Sequence, residues 1–382
     1  MGLLSPSRRV VAAAVVLAAA SFALVGCSSH ERVETALAQG AFVNTSSALA
    51  LTTPLATSVT PKFFISPTPR TIDSTAALSS PTHEPAARMT TKSSPLASTV
   101  AADDLHVMTF NLRVPFILDA TNHWSFRKKN VIKTIETAHP DVLGVQECVA
   151  EQADYLRAQL PEYGFRGVGR GDGQRQSEFA PVLWRRDKFK EIDHGYFWLS
   201  ETPEVPGSRS WGAWSTRMCT WVKLQPLDGS PAFAVFNAHY EPISGRAREN
   251  SARLMHQRIM SLASGMGVIV TGDFNADAGT APYKLLLAGE QVGAPQLLFD
   301  AFRLANPKVR GDEGTRHDFS GKRGGDRIDW ILANTAFTPV SATINRTRSL
   351  MGYPSDHFPV LAVLRPTATT PAMGSPAVAR VE

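Results

Sequence analysis

Between residues 105 and 364, short apolar runs of strand character take turns with stretches of helical period. Residues 105–112 predict a strand that closes on a polar residue, Asn111. Residues 124–138 predict a helix, with Phe126, Val131, Ile132 and Ile135 on one side and Pro140 as its stop. Residues 142–146 predict a buried strand ending at Glu147, and residues 151–160 a helix. Residues 181–185, 219–224 and 233–239 read as strands and 246–263 as a helix. Residues 268–271 form a buried strand leading to Gly272-Asp273, and strands at 328–333 and 360–364 complete the set. Strands and helices intermixed from residue 102 to 366 predict one α/β domain with a sheet core covered by helices.

The first hundred residues have a different character. Arg8 and Arg9 precede an apolar run, residues 10–25, which is short for a membrane span of about 20 residues. A basic start, an apolar middle and a small-residue exit read as a secretion signal. Leu24-Val25-Gly26-Cys27 resembles a bacterial lipobox, which implies cleavage before Cys27 and acylation of its thiol. Residues 1–27 are therefore assigned as a lipoprotein signal peptide. Residues 28–101 are rich in Ser, Thr, Pro and Ala, hold neither period, and read as a disordered tether. Residues 367–382 read as a short disordered tail. The protein is expected in the cell envelope, exported and lipid-anchored to a membrane on a periplasmic or extracellular face, as a monomer.

Charge changes this picture little. Of the 39 basic and 34 acidic residues, 7 and 4 fall in residues 1–100, so the domain itself carries 32 against 30. That near balance argues against a tight, non-specific nucleic-acid binder, which would show a strong basic excess. Besides Cys27 the chain has only Cys148 and Cys219, too few for a disulfide framework; one bridge and two buried free thiols are both open.

The chemistry lies in what ends the strands. Asn111, Glu147, His239, Asp273 with Asn275, Asp329, and Asp356-His357 each stand at or beside the end of an apolar run. One such residue is ordinarily a turn former or a satisfied core histidine. Six placements in one domain are not explained by turns, because strand ends converge at one edge of a sheet. Carboxylate and amide oxygens suit a hard divalent ion, histidines beside carboxylates suit proton transfer, and arginine neutralises a phosphoryl charge. Together these groups describe hydrolysis of a phosphate ester by activated water.

The segments Met108-Thr109-Phe110-Asn111-Leu112-Arg113, Gly144-Val145-Gln146-Glu147, Phe236-Asn237-Ala238-His239, Thr271-Gly272-Asp273-Phe274-Asn275, Arg327-Ile328-Asp329-Trp330 and Ser355-Asp356-His357-Phe358-Pro359 resemble, in order, the motif series of the endonuclease/exonuclease/phosphatase (DNase I-like) superfamily. The stretch Gly195-Tyr196-Phe197-Trp198-Leu199-Ser200-Glu201-Thr202-Pro203 resembles an uncharacterised bacterial branch of it. The resemblance implies a four-layer α/β/β/α sandwich of two mixed β-sheets flanked by helices. It implies Mg²⁺, with Mn²⁺ or Ca²⁺ as alternatives, held by Glu147 with Asn111 and Asp356. It implies that Asp273 and Asn275 orient water and phosphate. His357, held by Asp329, and His239 are the implied acid/base groups; His357 and Asp273 are both open as the acceptor of the water proton. Glu178 is carried over as a partner of His239, and Arg217 as a holder of a phosphate oxygen. After His239, Tyr240-Glu241-Pro242 replaces the Phe-Asp-His frequent in related bacterial sequences, which bears on substrate choice.

The expected function is a divalent-metal-dependent phosphodiesterase or phosphatase acting outside the cytoplasm on a lipid, a nucleic acid or a small metabolite. An extracellular nuclease and a sphingomyelinase-like phospholipid hydrolase are the narrower alternatives; a non-catalytic surface-binding protein on the same fold is the alternative of another class. Gly169-Arg170-Gly171-Asp172-Gly173 does not sit between a strand and a helix, so it is no dinucleotide fingerprint. Core packing is the default for Trp198, Trp211, Trp214 and Trp221; exposure among them would favour a membrane lipid.

Overall fold

The computed structural model describes residues 104–289 and 297–367, all within one compact unit, Thr90–Glu382. The signal peptide, the tether and the tail beyond Thr367 lie outside the described residues. In chain order the elements are β1 (Leu105–Asn111), α1 (Trp124–Ala138), β2 (Val142–Gln146), α2 (Ala150–Gln159), β3 (Tyr163–Arg166), β4 (Val182–Arg185), β5 (Phe189–Trp198), β6 (Met218–Pro226), β7 (Phe233–His239), α3 (Gly245–Leu262), β8 (Gly267–Asp273), α4 (Ala281–Ala288), β9 (Phe299–Asp300), α5 (Ala301–Ala305), β10 (Asp329–Ala333), β11 (Phe337–Ile344) and β12 (Val360–Pro366). A 3-10 helix, Ile117–Asn122, precedes α1.

The strands form two six-stranded sheets, ordered β11-β12-β1-β2-β4-β3 and β5-β6-β7-β8-β10-β9. Each sheet has one parallel pair at its centre, β1 with β2 and β7 with β8, joined through α1 and α3. A parallel pair needs such a crossover, and the helix covers the sheet's outer face. One apolar cluster lies between the sheets, with Val107, Val142, Val235, Ile269, Ile331 and Val360. A second packs Phe110 and Leu143 against Val131, Ile135 and Leu156 of α1 and α2. A third packs Phe236 and Val270 against Met255 and Ile259 of α3 and Leu286 of α4. The two mixed sheets with helices outside are the expected sandwich.

Phe126 departs from expectation: it is 60% exposed, and the buried face of α1 is Trp124, Arg127, Val131, Ile132 and Ile135. Two positions on from Trp124 is about 200° round a helix, which turns Phe126 to solvent. The helix stops at His139, whose φ of 45° is left-handed, one residue before Pro140. Strand β8 extends through Asp273, which therefore stands in the sheet and not after it. Cys148 and Cys219 are both buried and free, and burial pushes both thiols above their ordinary range.

Candidate active site

Inward-facing strand positions change from apolar to polar towards one edge of the sandwich. On β1 they run Leu105, Val107, Thr109, Asn111; on β7 Phe233, Val235, Asn237, His239; on β8 Ile269, Thr271, Asp273. The two-residue strand period puts each series on one face. Register then sets neighbours abreast: His239 opposite Asp273, and Asp273 opposite Asp329.

The first polar level ties the sheets together. Gln146 Nε2 donates to Thr109 Oγ1 at 3.0 Å and to Asn237 Oδ1 at 2.7 Å, while Thr271 Oγ1 donates to Asn237 Oδ1 at 3.0 Å. Asn237 Nδ2 donates to the carbonyls of Val145 and Pro181 at 2.7 and 2.9 Å. A Cβ on Gly144 would lie 2.0 Å from Thr271 Oγ1 and 2.6 Å from Asn237 Oδ1, so only glycine leaves room for this layer. Nothing in the sequence marked Gln146, Asn237 and Thr271 as a unit; their contacts span up to 91 residues.

The second level holds the chemistry. Asn111 Nδ2 donates to Glu147 Oε1 at 3.1 Å and to Asp273 Oδ2 at 2.9 Å, joining carboxylates from both sheets. Its Oδ1 accepts the backbone N–H of Arg113 at 2.9 Å, so here Asn111 orients carboxylates with its nitrogen and does not turn an oxygen towards them. Glu147 Oε2 accepts the N–H of Val114 at 3.1 Å. His239 and His357 bring their Nε2 atoms to 3.7 and 3.8 Å from the same oxygen, Asp273 Oδ2. The Nδ1 of His357 lies 2.9 Å from Asp329 Oδ2. Asn275 donates from Nδ2 to the Tyr240 carbonyl at 3.0 Å, with His239 Nε2 at 3.1 Å from the same nitrogen. Asp356 lies 3.8 Å from Arg113 Nη1. Arg113, Glu147 and Asn275 have φ of 60°, 53° and 47°. Left-handed backbone costs a non-glycine residue roughly 1–3 kcal/mol and gathers at functional sites, where the surrounding fold holds it in place.

Burial disfavours a charged His357, but the Asp329 and Asp273 carboxylates outweigh it and push the imidazole up to about 10. Burial, then the nearby Glu147 charge, pushes the Asp356 carboxyl up. For Asp273, burial is outweighed by His239 and His357, which hold it below the usual carboxylate range.

Beside His239 lies a second charged group. Glu178 Oε2 is 3.7 Å from His239 Nδ1, and its Oε1 accepts Arg170 Nη2 at 2.5 Å. Burial opposes the Glu178 charge, but Arg170 and His239 hold its carboxyl below the usual range. Arg217 is buried, with Nε 3.7 Å from Glu241 Oε2, and its Nε and Nη1 make no hydrogen bond. Glu241 is fully buried and accepts the N–H groups of Ser215 and Ile243 at 3.4 and 3.1 Å. Of the sequence departure at Tyr240-Glu241-Pro242, Tyr240 packs into the core against Met255 and Phe274, Glu241 faces Arg217, and Pro242 is exposed.

Asn111, Glu147, Glu178, Arg217, His239, Asp273, Asn275, Asp329, Asp356 and His357 all come to this one edge. Sequence reasoning did not single out Arg127. Arg127 is 2% exposed and donates to the carbonyls of Leu112, Arg113 (2.6 Å), Asn122 (2.9 Å) and Pro354 (3.0 Å). It binds the turn after Asn111 to the turn before Ser355, whose Oγ donates to the Asn111 carbonyl at 2.6 Å. Among the tryptophans, Trp198 is buried, Trp211 and Trp221 are half-buried, and Trp214 is 63% exposed. A cavity of about 690 Å³ lies at the opposite edge, where Lys188 pairs with Asp141 and Arg365 with Asp104, both at 2.8 Å.

Glu147, His239 and Asp273 offer ligand atoms all within 4.8 Å of one another, as do Asp273, Asp329 and His357. Residues 108–357 match the model of the Endonuclease/Exonuclease/phosphatase family. A solved endonuclease/exonuclease/phosphatase structure from Bacteroides vulgatus is 32% identical, with a TM-score of 0.63 over 69% of this chain and 99% of that one. The mannosyl-6-phosphatase of Bacteroides thetaiotaomicron is 30% identical, with a TM-score of 0.62 over 68% of this chain and 99% of that one. An uncharacterized protein of Acanthamoeba polyphaga mimivirus is 26% identical over 162 residues, 40% of this chain. The chain spans 60% of that relative's length, and less of the other curated relatives it matches.

Proposed function

The chain belongs to the endonuclease/exonuclease/phosphatase family of hydrolases, and from that membership we propose that it is a Mg²⁺-dependent hydrolase of phosphate esters, exported and lipid-anchored through Cys27, working as a monomer. The observation that carries the reading is the convergence on Asp273 Oδ2 of Asn111 Nδ2 at 2.9 Å and two imidazoles at 3.7 and 3.8 Å. A divalent ion fits the donors present: Glu147, Asp273 and Asp356 are hard carboxylates crowded at one edge, and burial with the nearby Glu147 charge pushes the Asp356 carboxyl up. Glu147, with Asp356 and Asp273 beside it, would hold the ion, whose chemistry is to neutralise charge on the phosphoryl oxygens.

The side chains divide the remaining work. Asn111 bridges Glu147 and Asp273 and orients both. Asp273 stays ionised between two imidazoles and accepts the proton of the attacking water. His357, fixed by Asp329, is cationic at neutral pH in the metal-free protein and faces the phosphate as a donor. His239, with Asn275 and Glu178 against its ring, stabilises the other side of the phosphoryl group. Arg217 brings buried N–H donors without partners, suited to a phosphate oxygen. The phosphatase among the solved relatives supports a phosphomonoester as substrate.

Hydrolysis of bis(p-nitrophenyl) phosphate and p-nitrophenyl phosphate by the full chain, with Mg²⁺, with EDTA and in Glu147→Ala, tests this. Turnover that needs both the ion and Glu147 is expected. A folded protein inert with Mg²⁺, Mn²⁺ and Ca²⁺ on every ester class would transfer the weight to a binding protein on the same fold.

A further inference from the structure

The edge that carries the site also carries exposed apolar side chains. Ile117 and Leu118 lie on the connection after β1 and are 79% and 61% exposed. Trp214 lies between β5 and β6, and Ile243 follows β7 at 69%. Leu350 and Met351 precede β12 at 107% and 71%. Strand directions send all these connections to the same edge, because β7 ends there at His239 and β6 and β12 begin there. The connections at the opposite edge expose one large apolar residue among those described, Leu227.

The turn before β12 is the most specific of these features. Ser349 and Gly352 exchange both backbone hydrogen bonds at 3.1 Å, so Leu350 and Met351 are the two central residues of a tight hairpin tip. Gly352, at φ 99°, supplies the left-handed residue of the turn, so backbone conformation does not dictate the residues at 350 and 351. Two large apolar residues there serve neither the turn nor the core. The tip is held against α1, where Asn130 Nδ2 donates to the Gly352 carbonyl at 3.1 Å, on the helix face that also exposes Phe126, Lys129 and Lys133.

Charge favours one occupant. The connections 306–327 and 345–359 hold eight basic residues against five acidic ones, although the domain as a whole is nearly balanced. Arg348, Lys322 and Arg323 are exposed there. Apolar tips between exposed cations match a bilayer with anionic headgroups: the tips enter the acyl boundary and the cations stay at the phosphates. A nucleic acid would leave the Leu350–Met351 tip without apolar partners. We infer that this edge docks on an anionic phospholipid surface, with the site facing the bilayer.

The test uses the full chain and vesicles of phosphatidylcholine with and without phosphatidylglycerol, carrying brominated acyl chains. The combined variant Ile117→Ser, Leu118→Ser, Leu350→Ser, Met351→Ser leaves the site untouched, and circular dichroism checks that it folds. The N-terminal apolar run is common to all proteins compared, so quenching of Trp214, read as the difference from Trp214→Phe, reports on this edge alone. Expected are Trp214 quenching that requires phosphatidylglycerol, and half-saturation at about tenfold or more higher lipid in the combined variant. Quenching that Trp214→Phe leaves unchanged, or that the combined variant retains at the same lipid concentration, would overturn the inference. So would sedimentation showing a dimer that the combined variant abolishes, or retention on duplex DNA without Trp214 quenching on vesicles.

Discussion

Asp329 Oδ2 lies 2.9 Å from Nδ1 of His357, with both side chains buried, and so fixes the imidazole with its Nε2 towards Asp273. The two come from different sheets: Asp329 opens β10, and His357 stands in the connection three residues before β12. The contact sets ring orientation, tautomer and charge together.

Asp329→Asn keeps the size of the group and removes its charge. A neutral amide can also hold the wrong tautomer. Esterase kcat is expected to fall roughly 10²–10⁴-fold with KM little changed. Steady-state kinetics on p-nitrophenyl phosphate check this; an equal loss confined to KM would place the pair in binding only.

The same pair predicts a pH dependence in the metal-free protein. His357 is raised from 6.5 to about 10 in the folded state, so its stabilising contribution is complete below pH 6.5 and is lost as pH rises through about 10. Urea unfolding in EDTA should show wild type losing stability over that window relative to Asp329→Asn. Nuclear magnetic resonance titration should find the His357 ring still charged at pH 8.

Arg127→Met is expected to destabilise the domain by about 3 kcal/mol or more, since four carbonyls lose a charged donor in a buried setting. Because three of those carbonyls, of Leu112, Arg113 and Pro354, lie in the turns beside Asn111 and Asp356, the Mg²⁺ concentration for half-activity should also rise. Arg127→Lys, which cannot reach all four, should fall between. Chemical denaturation and metal titration separate the two effects.

Gly144→Ala places a methyl group 2.0 Å from Thr271 Oγ1, against a layer with no free space. A loss of about 1–3 kcal/mol is expected from overpacking, with the Gln146–Asn237 contact opened. Thermal melting measures the loss. The double variant Gly144→Ala, Thr271→Ser should recover none of it, because the clashing oxygen remains.

The sequence by itself determined the central strands and the long helices. Strands β2 and β7 and helix α1 have the expected bounds because buried strands and amphipathic helices leave a local period. The motif residues were also legible, since each stands next to an apolar run. The four strands that were not legible, β3, β5, β9 and β11, are the four edge strands of the two sheets. An edge strand is half-solvated: β5 is exposed at Lys190, Asp193 and His194, and β11 contains Pro339 at a register shift. Only the tertiary structure decided which polar residues meet. Arg127 reaches Pro354 across 227 residues, and Asn111 reaches Asp273 across 162. The first follows from how a helix covers its sheet and the second from how two sheets stack and register, and a local period carries no information about a partner so far along the chain.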